Sequence, residues 1–188
     1  MTDDISPNLP KLLLHVCCGP CSTEVIGRLA KDHGLVLYFF NPNIFPKEEH
    51  DRRLDEAEKY ARDHGIPFIP APYDHEGWLA AVKGLEAEPE GGKRCAACFA
   101  LRLSAAARKA RDEGAELFTT TLTISPHKDA RVVNAAGEAA ARAQGLHFLA
   151  ADFKKMDGFL RSCRLAREAG MYRQDYCGCE FSVRARKT

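Results

Sequence analysis

Leu12-Leu13-Leu14-His15-Val16-Cys17-Cys18-Gly19-Pro20-Cys21-Ser22-Thr23-Glu24 is the stretch whose reading decides the fold. Residues 12–16 are a short apolar run that reads as a strand. It ends in a cysteine-rich turn with Gly19 and Pro20, and Ser22-Thr23-Glu24 then opens a helix reaching about Asp32. His33-Gly34 reads as the stop, with Gly34 as a left-handed cap.

The same alternation continues along the chain. Strands are predicted at 35–40, 66–69, 116–120 and 146–150. Helices are predicted at 47–63, which reads as charged and exposed, then near Trp78, at 95–113, at 130–144 and at 155–169. Gly65, Gly114 and Gly145 stop three of them. Residues 121–128 read as a polar loop and 86–93 as a loop rather than a domain boundary. Five strands alternating with helices predict an α/β fold, a parallel sheet sandwiched by helices. Such sheets carry their sites at the carboxyl ends of the strands. The cysteine turn follows the first strand, Asn41-Pro42-Asn43 the second and Ser125-Pro126-His127 the fourth.

The 188 residues suit one domain, 1–188, with no internal repeat. Charge is nearly balanced, 27 basic against 26 acidic residues, so no global field marks a nucleic-acid or membrane binder. From Ala151 onward there are nine Lys or Arg against five Asp or Glu, a basic segment on a mildly acidic body. Met1-Thr2-Asp3-Asp4 lacks the features of a signal peptide, and no apolar run is long enough to span a bilayer. The expectation is a cytoplasmic protein without a membrane partner. In a reducing compartment thiols stay free unless they bind metal or turn over as redox groups.

That expectation gives meaning to the eight cysteines. Cys18-Gly19-Pro20-Cys21 is the thioredoxin tetrapeptide, and a helix N-terminus there would lower a thiol's pKa. A thioredoxin-like dithiol oxidoreductase leaves two further groups unexplained, Cys95-Ala96-Ala97-Cys98 and Cys177-Gly178-Cys179. Cys95 and Cys98 face one side of a helical turn and can share a metal or cluster. Cys177 and Cys179 can bind metal or close as an easily reduced disulfide. All-sulfur ligation suits zinc or an iron–sulfur cluster, and wide separation in sequence favours a cluster or catalytic metal over a zinc ribbon. Cys163, alone beside Leu160 and Leu165, reads as a small buried hydrophobe.

Four ordered motifs now bear on function: Leu14-His15-Val16-Cys17-Cys18-Gly19-Pro20-Cys21-Ser22, Arg94-Cys95-Ala96-Ala97-Cys98-Phe99, Phe118 through Ser125-Pro126-His127-Lys128, and Tyr172-Arg173-Gln174-Asp175-Tyr176-Cys177-Gly178-Cys179. Together they resemble the QueH family of epoxyqueuosine reductases, over residues 11–182. The resemblance implies a HUP (adenine nucleotide α-hydrolase-like) fold. It implies an oxidoreductase that reduces epoxyqueuosine to queuosine at the wobble position of tRNAs for Asp, Asn, His and Tyr. It further implies a [4Fe-4S] cluster on Cys17, Cys18, Cys95 and Cys98, and a redox-active pair, Cys177 and Cys179, carried by the tail 171–182. A second metal, a mononuclear iron, is associated with the family. Some relatives carry a carboxylate where this chain has Cys21, so Cys21 is a candidate ligand for it.

The reaction removes an epoxide oxygen and consumes two electrons and two protons, so an external electron donor is expected. His127, in a polar loop at a strand end, is the candidate proton donor. His15 reads as a satisfied core histidine, and Asp129 as the cap of the next helix. Lys154, Lys155, Arg161, Arg164, Arg167 and Arg173 are candidate contacts to tRNA phosphates, with Tyr172 or Tyr176 free to stack on a base. Two other classes compete. A non-catalytic Fe–S or zinc tRNA-binding or electron-carrier module needs no Ser-Pro-His-Lys loop. An ATP-using tRNA-thiolating enzyme needs a glycine-rich loop after the first strand, where this chain has Cys17-Cys18-Gly19-Pro20-Cys21.

Overall fold

A computed structural model describes residues 9–182. The acidic N-terminus Met1-Thr2-Asp3-Asp4 and the basic residues Arg184, Arg186 and Lys187 lie outside the described residues.

Strands β1 (Lys11–His15), β2 (Gly34–Phe39), β3 (Phe68–Pro70), β4 (Leu117–Thr120) and β5 (His147–Phe148) form one sheet in the order β3-β2-β1-β4-β5. Every pairing is parallel. Helices α1 (Gly19–Leu29), α2 (Lys47–Asp63), α3 (His75–Ala81), α4 (Lys93–Asp112), α5 (Ala130–Gln144) and α6 (Gly158–Glu168) accompany it. Successive residues of a strand point to opposite faces. Leu12 and Leu14 therefore join a core with Val25 of α1 and Ala57 and Ala61 of α2. Leu13 joins the other core, with Leu103 and Ala106 of α4, Phe118 of β4 and Val133 of α5. All three leucines are completely buried, which is why β1 reads as continuously apolar. No helix among the described residues is long and apolar enough to cross a membrane.

Several local expectations are corrected. α1 starts at Gly19, not Ser22, with Cys18 as its N-cap and Pro20 in the first turn, where its fixed φ fits and its missing N–H is harmless. Gly34 is not the helix cap: the helix has ended by Ala30, and Gly34 opens β2. Residues 121–128 are not one polar loop. Thr121–Ile124 form a fully buried 3₁₀ turn, capped by the Thr120 hydroxyl, which accepts the Leu122 N–H at 3.1 Å. α2 keeps its predicted bounds, yet it is not simply exposed, since His50, Arg53, Ala57 and Ala61 are buried.

α6 begins at Gly158, so Lys155 precedes it instead of riding on it. Met156 and Asp157 both sit in the left-handed region, at φ 55° and 56°, and turn the chain into the helix. A Cβ on Gly158 would lie 1.9 Å from the Phe153 carbonyl oxygen. Gly158→Ala should therefore destabilise the fold by about 3 kcal/mol, because backbone must move to admit it. Urea unfolding measures this, and an unchanged midpoint would show that the turn is not tight.

His15 is a satisfied core histidine. The Phe40 carbonyl can only accept, so Nε2 carries the proton (3.2 Å) and Nδ1 accepts from the Thr120 hydroxyl (2.8 Å). Burial first, then Arg102, lowers its pKa to about 3. Burial also lowers that of His50, against Asp51. Both shifts favour the neutral ring in the folded chain, so the unfolded chain binds more protons in mild acid. Their contribution is whole above the ordinary imidazole value of 6.5 and is lost as pH falls toward the folded value of about 3 for His15. The urea midpoint of the metal-free protein should thus drop between about pH 7.5 and about pH 5. A midpoint that held or rose would contradict this assignment.

Candidate metal and redox site

The strand order reverses at β1, with β2 and β3 on one side of it and β4 and β5 on the other. Ligands bind at such a point in open α/β sheets. Cys17 after β1, Asn41 and Asn43 after β2, and residues 125–128 after β4 meet there, with Phe159, Ser162 and Cys163 of α6 and residues 173–177 of the tail. They line a cavity of about 260 Å³.

The Sγ atoms of Cys17, Cys18 and Cys21 lie within 4.8 Å of one another. Thr121 Oγ1 accepts the Cys17 N–H at 3.1 Å, and its hydroxyl donates to Cys17 Sγ at 3.3 Å. Cys17 is held well below the ordinary thiol pKa, because Cys18 and Cys21 donate to its sulfur and Lys128 and Arg102 add positive charge, against burial. Its neighbours pay the complement: donating to Cys17 pushes Cys18 up to about 12, and Cys21 is raised well above its usual range for the same reason. The trio thus favours the thiolate form at Cys17 over its neighbours. In a thioredoxin-like exchange Cys18 would ionise first, but it is 1% exposed and protonated.

Cys95 and Cys98 stand one turn apart at the start of α4, outside the 4.8 Å group. Cys95 Sγ accepts the Gly91 N–H at 3.2 Å, and Arg102 Nη1 lies 4.0 Å from Cys98 Sγ. Burial raises both thiols, while Arg102 opposes it at Cys98. Arg102 is 2% exposed; its Nη2 donates to Asn41 Oδ1, and its Nε–H finds no acceptor among the described residues. Lys128 faces the sulfurs of Cys177, Cys17 and Cys21. Burial disfavours its charge, but Cys177, Cys17 and Cys21 outweigh burial and hold it above the ordinary lysine range. Clustered thiols, two cations and a buried donor without an acceptor fit an anionic, thiolate-ligated metal centre.

Cys177 lines this cavity and a smaller one shared with Cys95, His127 and Lys128. Cys179 is 7% exposed and packs with Trp78, Val82 and Cys98. The structure so brings Cys177 to the cavity and sets Cys179 behind it. His127 is exposed on the wall of both cavities. Asp129 caps α5, accepting the Arg131 N–H at 2.8 Å.

Cys163 departs from its reading as a buried hydrophobe: it is half-buried on the cavity wall, since the inner face of α6 turns toward the site. Tyr172 and Tyr176 are each anchored within the fold. The Tyr172 hydroxyl donates to Glu49 and its ring lies under Arg52, while Tyr176 donates to the Phe45 carbonyl. Lys154 is tied to Asp152, Arg161 to Glu24 and Arg164 to Glu168. Lys155, Arg167 and Arg173 are exposed, as are Arg161 and Arg164 despite their ion pairs. Sequence reading missed Arg102, although its place four residues after Cys98 on a helix could have revealed it. It also missed Arg53 and Gln174, for which nothing local gave a sign.

A family model described as "Epoxyqueuosine reductase QueH" matches residues 12–185. The chain is 38% identical over 181 residues to the epoxyqueuosine reductase QueH of Streptococcus pyogenes serotype M1, covering 93% of this chain and 71% of that protein. It is 41% identical to the Haemophilus influenzae protein of that name over 93% and 72%, and 34% identical to that of Thermotoga maritima over 94% and 92%. Among solved structures it resembles a predicted tRNA methyltransferase subunit from Methanocaldococcus jannaschii (TM-score 0.58, 15% identity, 85% of this chain and 75% of that one). It also resembles the U34-tRNA thiolase NcsA from Methanococcus maripaludis with its [4Fe-4S] cluster (TM-score 0.59, 14% identity, 96% and 64%). The fold is of the HUP type.

Proposed function

The chain belongs to the epoxyqueuosine reductase QueH family, and we propose that its switch-point cavity performs the family's reaction with metal and thiol chemistry. It is an oxidoreductase converting epoxyqueuosine to queuosine in tRNA. We place the modified nucleotide at the wobble position of tRNAs for Asp, Asn, His and Tyr. Residues 1–188 act as one iron–sulfur reductase domain, with the tail 171–182 carrying the redox cysteines.

The epoxide oxygen leaves as water and a carbon–carbon double bond forms, taking up two electrons and two protons. Cys177 and Cys179 supply both as they close to a disulfide, which an external donor reduces again. His127, on the cavity wall, delivers a proton to the oxygen. Lys128 and Arg102 keep the surrounding thiolates charged. Cys17, Cys18, Cys95 and Cys98 would hold a [4Fe-4S] cluster and Cys21 a second, mononuclear iron, a centre that supplies single-electron transfer and Lewis acidity when bound. Exposed Lys155, Arg161, Arg164, Arg167 and Arg173 are available to meet tRNA phosphates.

The observation that carries this reading is the gathering of Cys17, Cys18 and Cys21 at the switch point, with Cys177 lining the same cavity. Anaerobic reconstitution with iron and sulfide tests the metal half. A brown protein with a cluster spectrum is expected; a colourless protein that binds no iron would refute it.

A further inference from the structure

The tail from Tyr172 to Gly178 has no helix or strand of its own, yet it brings Cys177 to the cavity. Its backbone must be held by something outside it. Arg53, on α2, is 3% exposed, an unusual place for a guanidinium. Its Nε donates to Glu49 at 2.6 Å, Nη1 to the Cys177 carbonyl at 3.2 Å and Nη2 to the Tyr176 carbonyl at 3.4 Å. A buried ion pair adds little to stability by itself and could be replaced by apolar residues. Here the planar fork grips two consecutive peptide carbonyls and so fixes the orientation of the peptide plane that carries Cys177.

Two further contacts use the same clamp. The Tyr172 hydroxyl donates to Glu49 Oε2 at 3.0 Å, so the ion pair holds the tail at both ends. Gly178 turns away at φ +125°, where a Cβ would lie 3.1 Å from Arg53 Nη1. Between the ends, Gln174 Nε2 donates to Cys18 Sγ at 3.1 Å, linking the tail to the cysteine trio.

We propose that Arg53, locked to Glu49, is a positioning residue for the reduction: it docks the tail so that Cys177 faces the cavity. This rests on the reading of Cys177 as a redox thiol. The test uses full-length, metal-loaded protein and follows alkylation of Cys177 by iodoacetamide, resolved by mass spectrometry, beside steady-state turnover. In Arg53→Met, Cys177 should be alkylated about tenfold faster, since charged hydrogen bonds that hold it are gone. Turnover should fall about a hundredfold, with KM and bound iron nearly unchanged, as for a displaced reacting group. Arg53→Lys, which keeps the ion pair but loses the fork, should recover part of both effects. If Arg53→Met does not fold, Glu49→Gln and Arg53→Lys carry the test, each with smaller changes of the same sign. Unchanged alkylation overturns the clamp, and faster alkylation at wild-type turnover overturns the positioning role. Wild-type protein inactive on epoxyqueuosine would sink the functional reading instead, while the alkylation result still judges the clamp.

Discussion

Changing Cys17 to alanine is expected to strip the metal and abolish epoxyqueuosine reduction together. Cys17 is the one member of its trio whose thiol is driven below its usual pKa, by donation from Cys18 and Cys21 and by the charges of Lys128 and Arg102. Metals bind thiolates, so the site is primed through this residue. Without it, Cys18 and Cys21 lose the acceptor for their protons, and Thr121 loses its sulfur partner. Iron retained after desalting should fall by at least about tenfold, the scale of loss seen even for groups behind the ligands. Turnover should fall on the order of a thousandfold, as when a member of a catalytic unit is removed. Cys163→Ser is the companion: Cys163 lines the cavity but lies outside the trio, so its iron content should match the wild type. Full iron in Cys17→Ala would remove Cys17 from the ligand set.

Cys177→Ser should behave differently, keeping its iron and losing multiple turnover. Its sulfur sits where both cavities meet, in the field of Lys128, whereas the trio belongs to the β1–α1 turn. Serine preserves shape but cannot form a disulfide, so the dithiol cannot close or be regenerated. A loss on the order of a thousandfold in steady-state rate is expected with iron unchanged. Undiminished turnover would take the dithiol out of the scheme. The two variants thus divide the cysteines into a metal group and a redox group by measurements that do not depend on each other.

Much of this was legible in the chain itself. The run of Leu12, Leu13 and Leu14 betrayed a strand buried on both faces, and α2 and α5 keep their predicted bounds. Gly65, Gly114 and Gly145 adopt the positive φ expected of helix stops. Those signals are local. What escaped depends on distant partners. Arg53 looked like one charge among many on a polar helix, because the carbonyls it holds are 123 and 124 residues away. Cys163 looked solitary because only packing turns its helix toward the cavity. The buried turn Thr121–Ile124 looked polar because the Thr121 hydroxyl that serves Cys17 cannot be told from a solvated one in sequence. Cys179 packs with Cys98 and Trp78, a placement that the spacing Cys177-Gly178-Cys179 does not reveal.

The central claim is that this cysteine-lined cavity removes the epoxide oxygen of a tRNA nucleoside. Its most direct test is nucleoside analysis of epoxyqueuosine-containing tRNA incubated with anaerobically reconstituted protein and a chemical reductant. The prediction is loss of epoxyqueuosine with matching appearance of queuosine, dependent on bound iron. Epoxyqueuosine left unchanged by iron-loaded protein would contradict it.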